Sequence, residues 1–285
     1  MKLLSFGEIL WDVYPDSKAI GGASLNLAAH AALLGAEVDI ASAIGNDALG
    51  KEAIDVLKTF GVKTEHISVL DEKDTGSVVV TLNEDKIPSY EIMDDVAYDY
   101  IHARNSYGHY DAIVFGTLAI RHNHNKEVLT NILNYASAKE IYCDLNVRLP
   151  HSTKESAMLC FSKATIIKVS DEELPIISKW ILGEVISPRD FAFRISTLYK
   201  NVKLIIVTMG ERGSFCYERK TDSFTFSDGV ATEVVSTVGA GDSFGAAFLT
   251  KYFSNSDIKS CLEFASLVSS FVCSRKDAVP TDMPF

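Results

Sequence analysis

A chain of 285 residues with 47% hydrophobic composition is long enough to bury a sizeable core, as one large α/β domain or two ordinary ones. Its formal net charge of −11 is spread over many Asp and Glu rather than gathered in a tail, which argues for solubility and against a nucleic-acid or anionic-membrane surface. Five cysteines show neither CxxC spacing nor a compact framework, so reduced thiols in a cytoplasmic protein are expected, and no apolar run approaches the ~20 residues of a membrane-spanning helix.

The opening MKLLSFGEILWDVYP reads as a first strand, because Glu8 and Asp12 interrupt any signal-like apolar region and no small-residue cleavage pattern follows. VDIASAI is the next strand. It precedes DALGKEAIDVLKTFG, a helix that Asp47 can cap and Gly61 can end, with Leu49, Ala53, Leu57 and Phe60 on one face. From Thr75 to Ile101 the texture changes: SVVVTL and SYEIM suggest antiparallel strands around a turn at Asn83-Glu84-Asp85, inserted as a small β lid. AIVFGTLA and NKEVLTNILNYASA read as another strand and crossover helix, with the HNH segment at 122 to 124 a polar loop. His102, His109, His122 and His124 show no zinc-ligand spacing. EIYCDLNV, ATIIKVS and KLIIVTMG continue the strands, each ending in polar or Gly residues. The alternation predicts a parallel, doubly wound sheet whose ligands gather at the carboxyl ends of the strands. No internal repeat, low-complexity run or Pro/Gly/Ser linker is present, so an inserted lid on one domain is preferred to two independent domains.

The most informative segment is Ser236-Thr237-Val238-Gly239-Ala240-Gly241-Asp242-Ser243-Phe244, a small-residue turn running straight into a helix start. Its glycines let the backbone approach an anion closely, and the helix-start N–H groups stabilise negative charge there. A carboxylate at the same entrance can accept a proton from an attacking hydroxyl, which makes Asp242 a candidate general base. Taken alone, GxGD is more simply a tight turn with Asp242 as its N-cap. Gly21-Gly22 with Asn26 is equally a turn and a helix-entry residue.

Two ordered signatures reverse that balance. STVGAGDSF resembles the carboxyl-terminal signature of the PfkB family of carbohydrate kinases, DTxGAGDxF. GGASLNLA at 21 to 28, followed by Leu34-Gly35-Ala36 and Ile44-Gly45-Asn46-Asp47-Ala48-Leu49-Gly50, resembles the family's amino-terminal signature. The resemblance implies a ribokinase-like three-layer α/β sandwich with a mainly parallel central sheet. It implies one domain over 1–285, with a small β lid from about 10–22 and 75–101. The activity it implies is transfer of the γ-phosphoryl group of ATP to a sugar hydroxyl. GEILWDVYP, YEIMDDVAYDYI and FGTLAIR are similar to the fructokinase branch, so D-fructose is the expected acceptor. Ribose, a nucleoside, a ketosugar acid or a sugar phosphate stay open as acceptors, as does a catalytically silent sugar-binding protein on the same fold.

By the same resemblance, Asp242 is the catalytic base and Gly239, Ala240 and Gly241 form the anion hole. Asp12, Gly22 and Asn26 contact sugar hydroxyls, a carboxylate being able to accept two such hydrogen bonds. Arg121, at the end of FGTLAIR, joins them as a substrate or phosphate contact. KVSDEEL at 168 to 174 resembles the family's NxxE region, implying a nucleotide contact at Ser170 and Mg²⁺ organised through water by Glu173. Thr208, Gly210 and Gly213 match a TxGxxG nucleotide-binding turn, and DLNVR resembles DxNxR, where Arg148 approaches phosphate. On the residues alone, an acidic first turn at Glu173, a strand-to-strand turn at 208 to 213 and exposed strand-end arginines at 121 and 148 remain open. ATP and Mg²⁺ are the implied cofactors. A monovalent cation is left open, because Ser236 replaces the usual Asp and Lys276-Asp277-Ala278 the frequent Lys-Gly-Ala. The expected partners are a sugar and ATP, with no nucleic acid and no membrane. A homodimer through the lid is permitted by the apolar alternation at 77 to 82.

Overall fold

The computed structural model describes residues 1–82, 88–102, 104 and 107–285; the turn expected at Asn83-Glu84-Asp85 lies outside them. In chain order β1 (Lys2–Phe6), β2 (Leu10–Val13) and β3 (Lys18–Gly21) lead into α1 (Ala23–Leu33), followed by β4 (Glu37–Gly45), α2 (Ala48–Thr59) and β5 (Ile67–Leu70). Next come β6 (Gly76–Leu82), β7 (Pro88–Ile92), β8 (His109–Gly116), α3 (Asn123–Tyr135), β9 (Ser137–Asp144), α4 (Lys154–Lys163) and β10 (Ile166–Ser170). The chain closes with α5 (Leu174–Leu182), α6 (Pro188–Leu198), β11 (Leu204–Thr208), β12 (Ser214–Glu218), β13 (Ser223–Ser227), α7 (Ala240–Tyr252) and α8 (Ile258–Cys273).

Among the described residues the main sheet runs β13-β12-β11-β10-β9-β8-β1-β4-β5. It is parallel from β11 to β5, with β12 and β13 antiparallel at one edge. Successive strand residues point to opposite faces, and the sequence loads both with apolar side chains. Leu3, Val114, Tyr142 and Ile206 face α1, α2, α7 and α8, whereas Leu4, Phe115, Cys143 and Ile205 face α3 to α6. Burial of each such side chain contributes about 1.5–3 kcal/mol, enough in sum to hold helices on both faces. The smaller sheet, ordered β3-β2-β6-β7, is the lid. The whole is a ribokinase-like three-layer sandwich, and among the described residues no helix is long and apolar enough to cross a membrane.

Local signals act where expected in α2. Asp47 Oδ1 accepts from Gly50 N at 2.7 Å, and Gly61 adopts φ 78° after the last turn. Two expectations need correction. The opening segment is two strands rather than one, β1 in the main sheet and β2 in the lid, because the chain leaves the sheet at Gly7 to turn Glu8 toward the start of α1. The HNH segment is not a loop: His122 is the N-cap residue of α3, and Asn123 and His124 form its first turn, with His124 Nε2 2.9 Å from the Ile101 carbonyl.

The lid returns to the main body through 93 to 101. Tyr98 is wholly buried against Leu10, Val78, Val96 and Leu118. Asn125 of α3, also wholly buried, donates to the carbonyls of Tyr98 and Ala119, both at 2.7 Å, and accepts from Ile101 N at 3.0 Å. Losing these three bonds strands buried backbone groups, each worth about 1–3 kcal/mol. Asn125→Ala should therefore lower the urea midpoint with a loss of roughly 2–4 kcal/mol; an unchanged midpoint would show that this anchor is dispensable.

Candidate active site at the carboxyl ends of the central strands

Two helix starts meet above the strand ends. At α1 the chain passes through Gly22 at φ 108°, where any Cβ would lie 2.6 Å from the Glu8 carbonyl oxygen. Gly22 offers no side chain to cap the helix, and Glu8 substitutes: its Oε1 accepts from Ala23 N at 2.9 Å and its Oε2 from Ser24 Oγ at 3.3 Å. Burial raises the Glu8 carboxyl above its ordinary range, opposed by these hydrogen bonds. One turn into α1, the buried Asn26 donates from Nδ2 to Asp242 Oδ2 at 2.9 Å.

At α7 the cap is Gly239, with φ 80°, a position where a Cβ would stand 2.4 Å from the Ala278 carbonyl oxygen. Asp242 is thus not the N-cap that a bare GxGD suggests. It is the third residue of the helix, with a side chain free to turn toward Asn26. The first-turn N–H groups of any helix lack intrahelical acceptors; here the Ala240 N–H makes a 3.2 Å bond to the Thr237 carbonyl. Burial pushes the Asp242 carboxyl up to about 6, offset by the Asn26 hydrogen bond and the charges of Lys168 and Arg148 and reinforced by Glu8. A proton acceptor poised near neutrality at a helix start is what attack by a hydroxyl on a phosphoryl group requires.

Beneath this turn lies a second pair. Lys168 Nζ is 2.7 Å from Asp144 Oδ2, both side chains nearly out of solvent. Burial pushes Asp144 up to about 6 against the charge of Lys168. Ser5, Ser24, Gly116, Asp144 and Asp242 line one narrow pocket there. Glu8, Lys168 and Asp144 have no assigned role in the sequence reading. A signal for Lys168 exists in IIKVS: a lysine inside an apolar strand of a sheet covered on both faces must be buried, and a buried lysine needs a partner.

The remaining candidates divide. Asp12 projects from β2 of the lid and is half-buried; burial raises its carboxyl and the charge of Arg148 lowers it. Arg148 itself is exposed, with its charge felt at both Asp12 and Asp242. Glu173 Oε1 accepts from Val147 N, and Oε2 accepts from Ser170 N at 2.7 Å and Ser170 Oγ at 2.9 Å. It thereby ties the ends of β9 and β10 together. A carboxylate holds about four acceptor sites, so this donor set fits an outer-sphere Mg²⁺ contact through water. Thr208, paired with Ser170, ends β11, and the exposed Gly210 to Arg212 form a short helical turn that leads into the antiparallel β12 through Gly213, which is buried and where a Cβ would stand 2.1 Å from the Ser227 carbonyl oxygen.

Arg121 is elsewhere. Its Nε and Nη2 donate to the two oxygens of Asp99 at 2.7 and 2.6 Å, Nη2 also reaches the Met93 carbonyl at 2.8 Å, and the guanidinium lies over the Tyr98 ring. With the Arg121 side chain 3% exposed and that of Asp99 1%, the charge is committed to the lid's return segment. Asp94, Asp99 and His122 also converge there, but the guanidinium already fills the place of a cation.

This fold and site define a class: a ribokinase-like α/β sandwich with a glycine turn opening a helix beside a buried carboxylate, and a lid. The model of the pfkB family carbohydrate kinases matches residues 5–284. A protein of Arabidopsis thaliana named "Probable fructokinase-4" is 30% identical over 314 residues, spanning 98% of this chain and 92% of that protein. The crystal structure of fructokinase with bound ATP from Xylella fastidiosa superposes with a TM-score of 0.86 at 20% identity, over 98% of this chain and 94% of that one. Fructokinase from Vibrio cholerae O395 in its fructose, ADP and calcium ion bound form gives 0.85 at 19%, over 98% and 95%. The chain belongs to the pfkB family, and its class of activity is that of an ATP-dependent carbohydrate kinase.

Arg121→Met would leave the Asp99 carboxylate buried without its cation, which typically costs about 3–5 kcal/mol. A loss of that size is expected in chemical unfolding, with restoration of much of it in the Arg121→Met, Asp99→Leu double variant. A single variant as stable as the parent would remove the clamp from this account.

Proposed function

We propose that the protein is a fructokinase, transferring the γ-phosphoryl group of ATP to a hydroxyl of D-fructose within a single pfkB domain spanning 1–285. The observation that carries this reading is the Asn26–Asp242 hydrogen bond, which sets a residue of the amino-terminal sugar signature against the carboxylate of the phosphate turn. The fructokinase names among the relatives support the acceptor.

In this reading fructose lies between the lid and the start of α1. Asp12 accepts sugar hydroxyls from above, and Asn26 presents its buried Oδ1, which has no partner among the described residues. Gly22 lets the sugar approach the backbone. The nucleotide lies across Ser170, Thr208, Gly210 and Gly213, with its phosphates at Gly239, Ala240 and Gly241 and Arg148 at the rim. Asp242 takes the proton of the attacking hydroxyl, and the helix-start amides stabilise the charge that accumulates on the transferring group. Mg²⁺ carried with ATP neutralises phosphate charge, and Glu173 can hold its water shell. Arg121 leaves the list of sugar contacts and acts as the lid anchor. The buried cysteines suit a cytoplasmic protein; the alternating strand at 77 to 82 lies inside the lid between β2 and β7 rather than at an edge, so a pairing of two copies would use the edge strands β3 or β7.

Initial-rate ADP formation with fructose, glucose, ribose, a ketosugar acid and adenosine tests the acceptor. Fructose-dependent turnover is expected, and exclusive use of another acceptor would keep the kinase but reject the sugar. Asp242→Asn should lower kcat by about 10²–10⁴-fold with a much smaller change in KM for the sugar; retained turnover would remove Asp242 as base. Since the base must be ionised, and burial places Asp242 at about 6, kcat/KM should fall as the pH drops through that value.

A further inference from the structure

The Lys168–Asp144 pair takes no part in the contacts assigned so far. Lys168 stands in β10 among Ile166, Ile167 and Val169, and its ammonium reaches Asp144 at the end of the neighbouring β9. The two residues are 4% and 7% exposed. Relative to an apolar pair of similar volume, an ion pair so buried generally adds little stability. Its position is the informative feature. A Cβ built on Gly241 would lie 3.1 Å from Lys168 Nζ, so the ammonium sits directly beneath the first turn of α7. Asp144 and Asp242 line the same pocket. The ammonium carries three donors, and among the described residues Asp144 is its one hydrogen-bond partner.

We propose that Lys168 is a positioning residue for the proton acceptor: its ammonium, held in place by Asp144, keeps the Asp242 carboxyl ionised in a pocket that would otherwise neutralise it. The inference rests on the reading of Asp242 as the base. The other groups around Asp242 do not supply this charge. Asn26 from α1 contributes a neutral hydrogen bond, and Glu8, after β1, opposes ionisation. Tyr142 of β9 offers a buried hydroxyl with no partner among the described residues. Arg148, beyond β9, is exposed and its charge is screened by solvent. Lys168 is the buried cation of the set: its burial favours loss of the proton, and the negative charges of Asp144, Glu173 and Asp242 together hold it.

The signs of the two charges make the inference testable. Removing the cation with Lys168→Met should raise the pH midpoint of Asp242 on the order of one unit. Removing the anion with Asp144→Asn should lower it, and the double variant, neutral at both positions, should return toward the parent. Two readouts report the midpoint: the acid limb of kcat/KM with the acceptor that supports turnover, and the carbon NMR titration of the Asp242 carboxyl, assigned by its loss in Asp242→Asn. Opposite displacements with recovery in the double variant support the role. Midpoints that stay put, or move together as general damage would move them, overturn it. Where Lys168→Met cannot be purified, the displacement from Asp144→Asn to the double variant isolates the lysine charge and decides the same question. An Asp242→Asn protein that keeps turnover sinks the base, while the NMR midpoints still decide whether the pair sets the charge of Asp242. An inactive Asp242→Asn protein with unmoved midpoints sinks this inference alone.

Discussion

A hydrogen bond of 2.9 Å between Asn26 and Asp242 joins the starts of two helices separated by 216 positions in the chain. The topology makes that meeting available. β1 leads through the lid into α1, and β13, which two antiparallel pairings turn back into the direction of β11, leads into α7, so both helices begin at the same edge of the sheet. α1 and α7 pack on the same face of the sheet, and their first turns bring the small residues Gly22 and Gly239 close to the backbone of Glu8 and Ala278. Side chains at either glycine would separate the two starts, and the bond with them.

Around that bond the charges are balanced rather than simply paired. Three buried carboxyl groups, Glu8, Asp144 and Asp242, share a region with one buried cation, Lys168, and an exposed one, Arg148. Burial raises all three acids, and hydrogen bonds or cations restrain each differently. Glu8 spends its oxygens on the start of α1 and Asp144 on Lys168, which leaves Asp242 facing the pocket with a single amide donor. An acid in that position exchanges a proton readily near neutral pH.

The lid is held by a different kind of contact. Its return segment is clamped by Arg121 on Asp99 and by Asn125 on the backbone at 98, 101 and 119, all buried. Such an anchor fixes one end of the lid while Asp12, on β2, stays half-exposed. The strand that carries Asp12 and the segment that anchors the lid are thus separate, the second following β7 outside the small sheet, and Arg121 is bound to that segment.

Short apolar runs alternating with longer amphipathic segments determine the parallel sheet and its flanking helices, because a strand covered on both faces must be apolar on both. Capping and glycine signals determine α2, where Asp47 and Gly61 act through bonds no longer than a helical turn. The turn at 239 to 242 and the glycines at 21 and 22 are legible for the same reason: local backbone demands leave local residues. The sequence does not determine partners chosen across the sheet. Whether Asp242 caps its helix or faces Asn26, whether Arg121 meets a ligand or Asp99, and whether Lys168 lies under Gly241 depend on which residues distant in the chain share a burial site. Only tertiary packing decides that, since the energy of a buried charge comes from the neighbours that packing supplies.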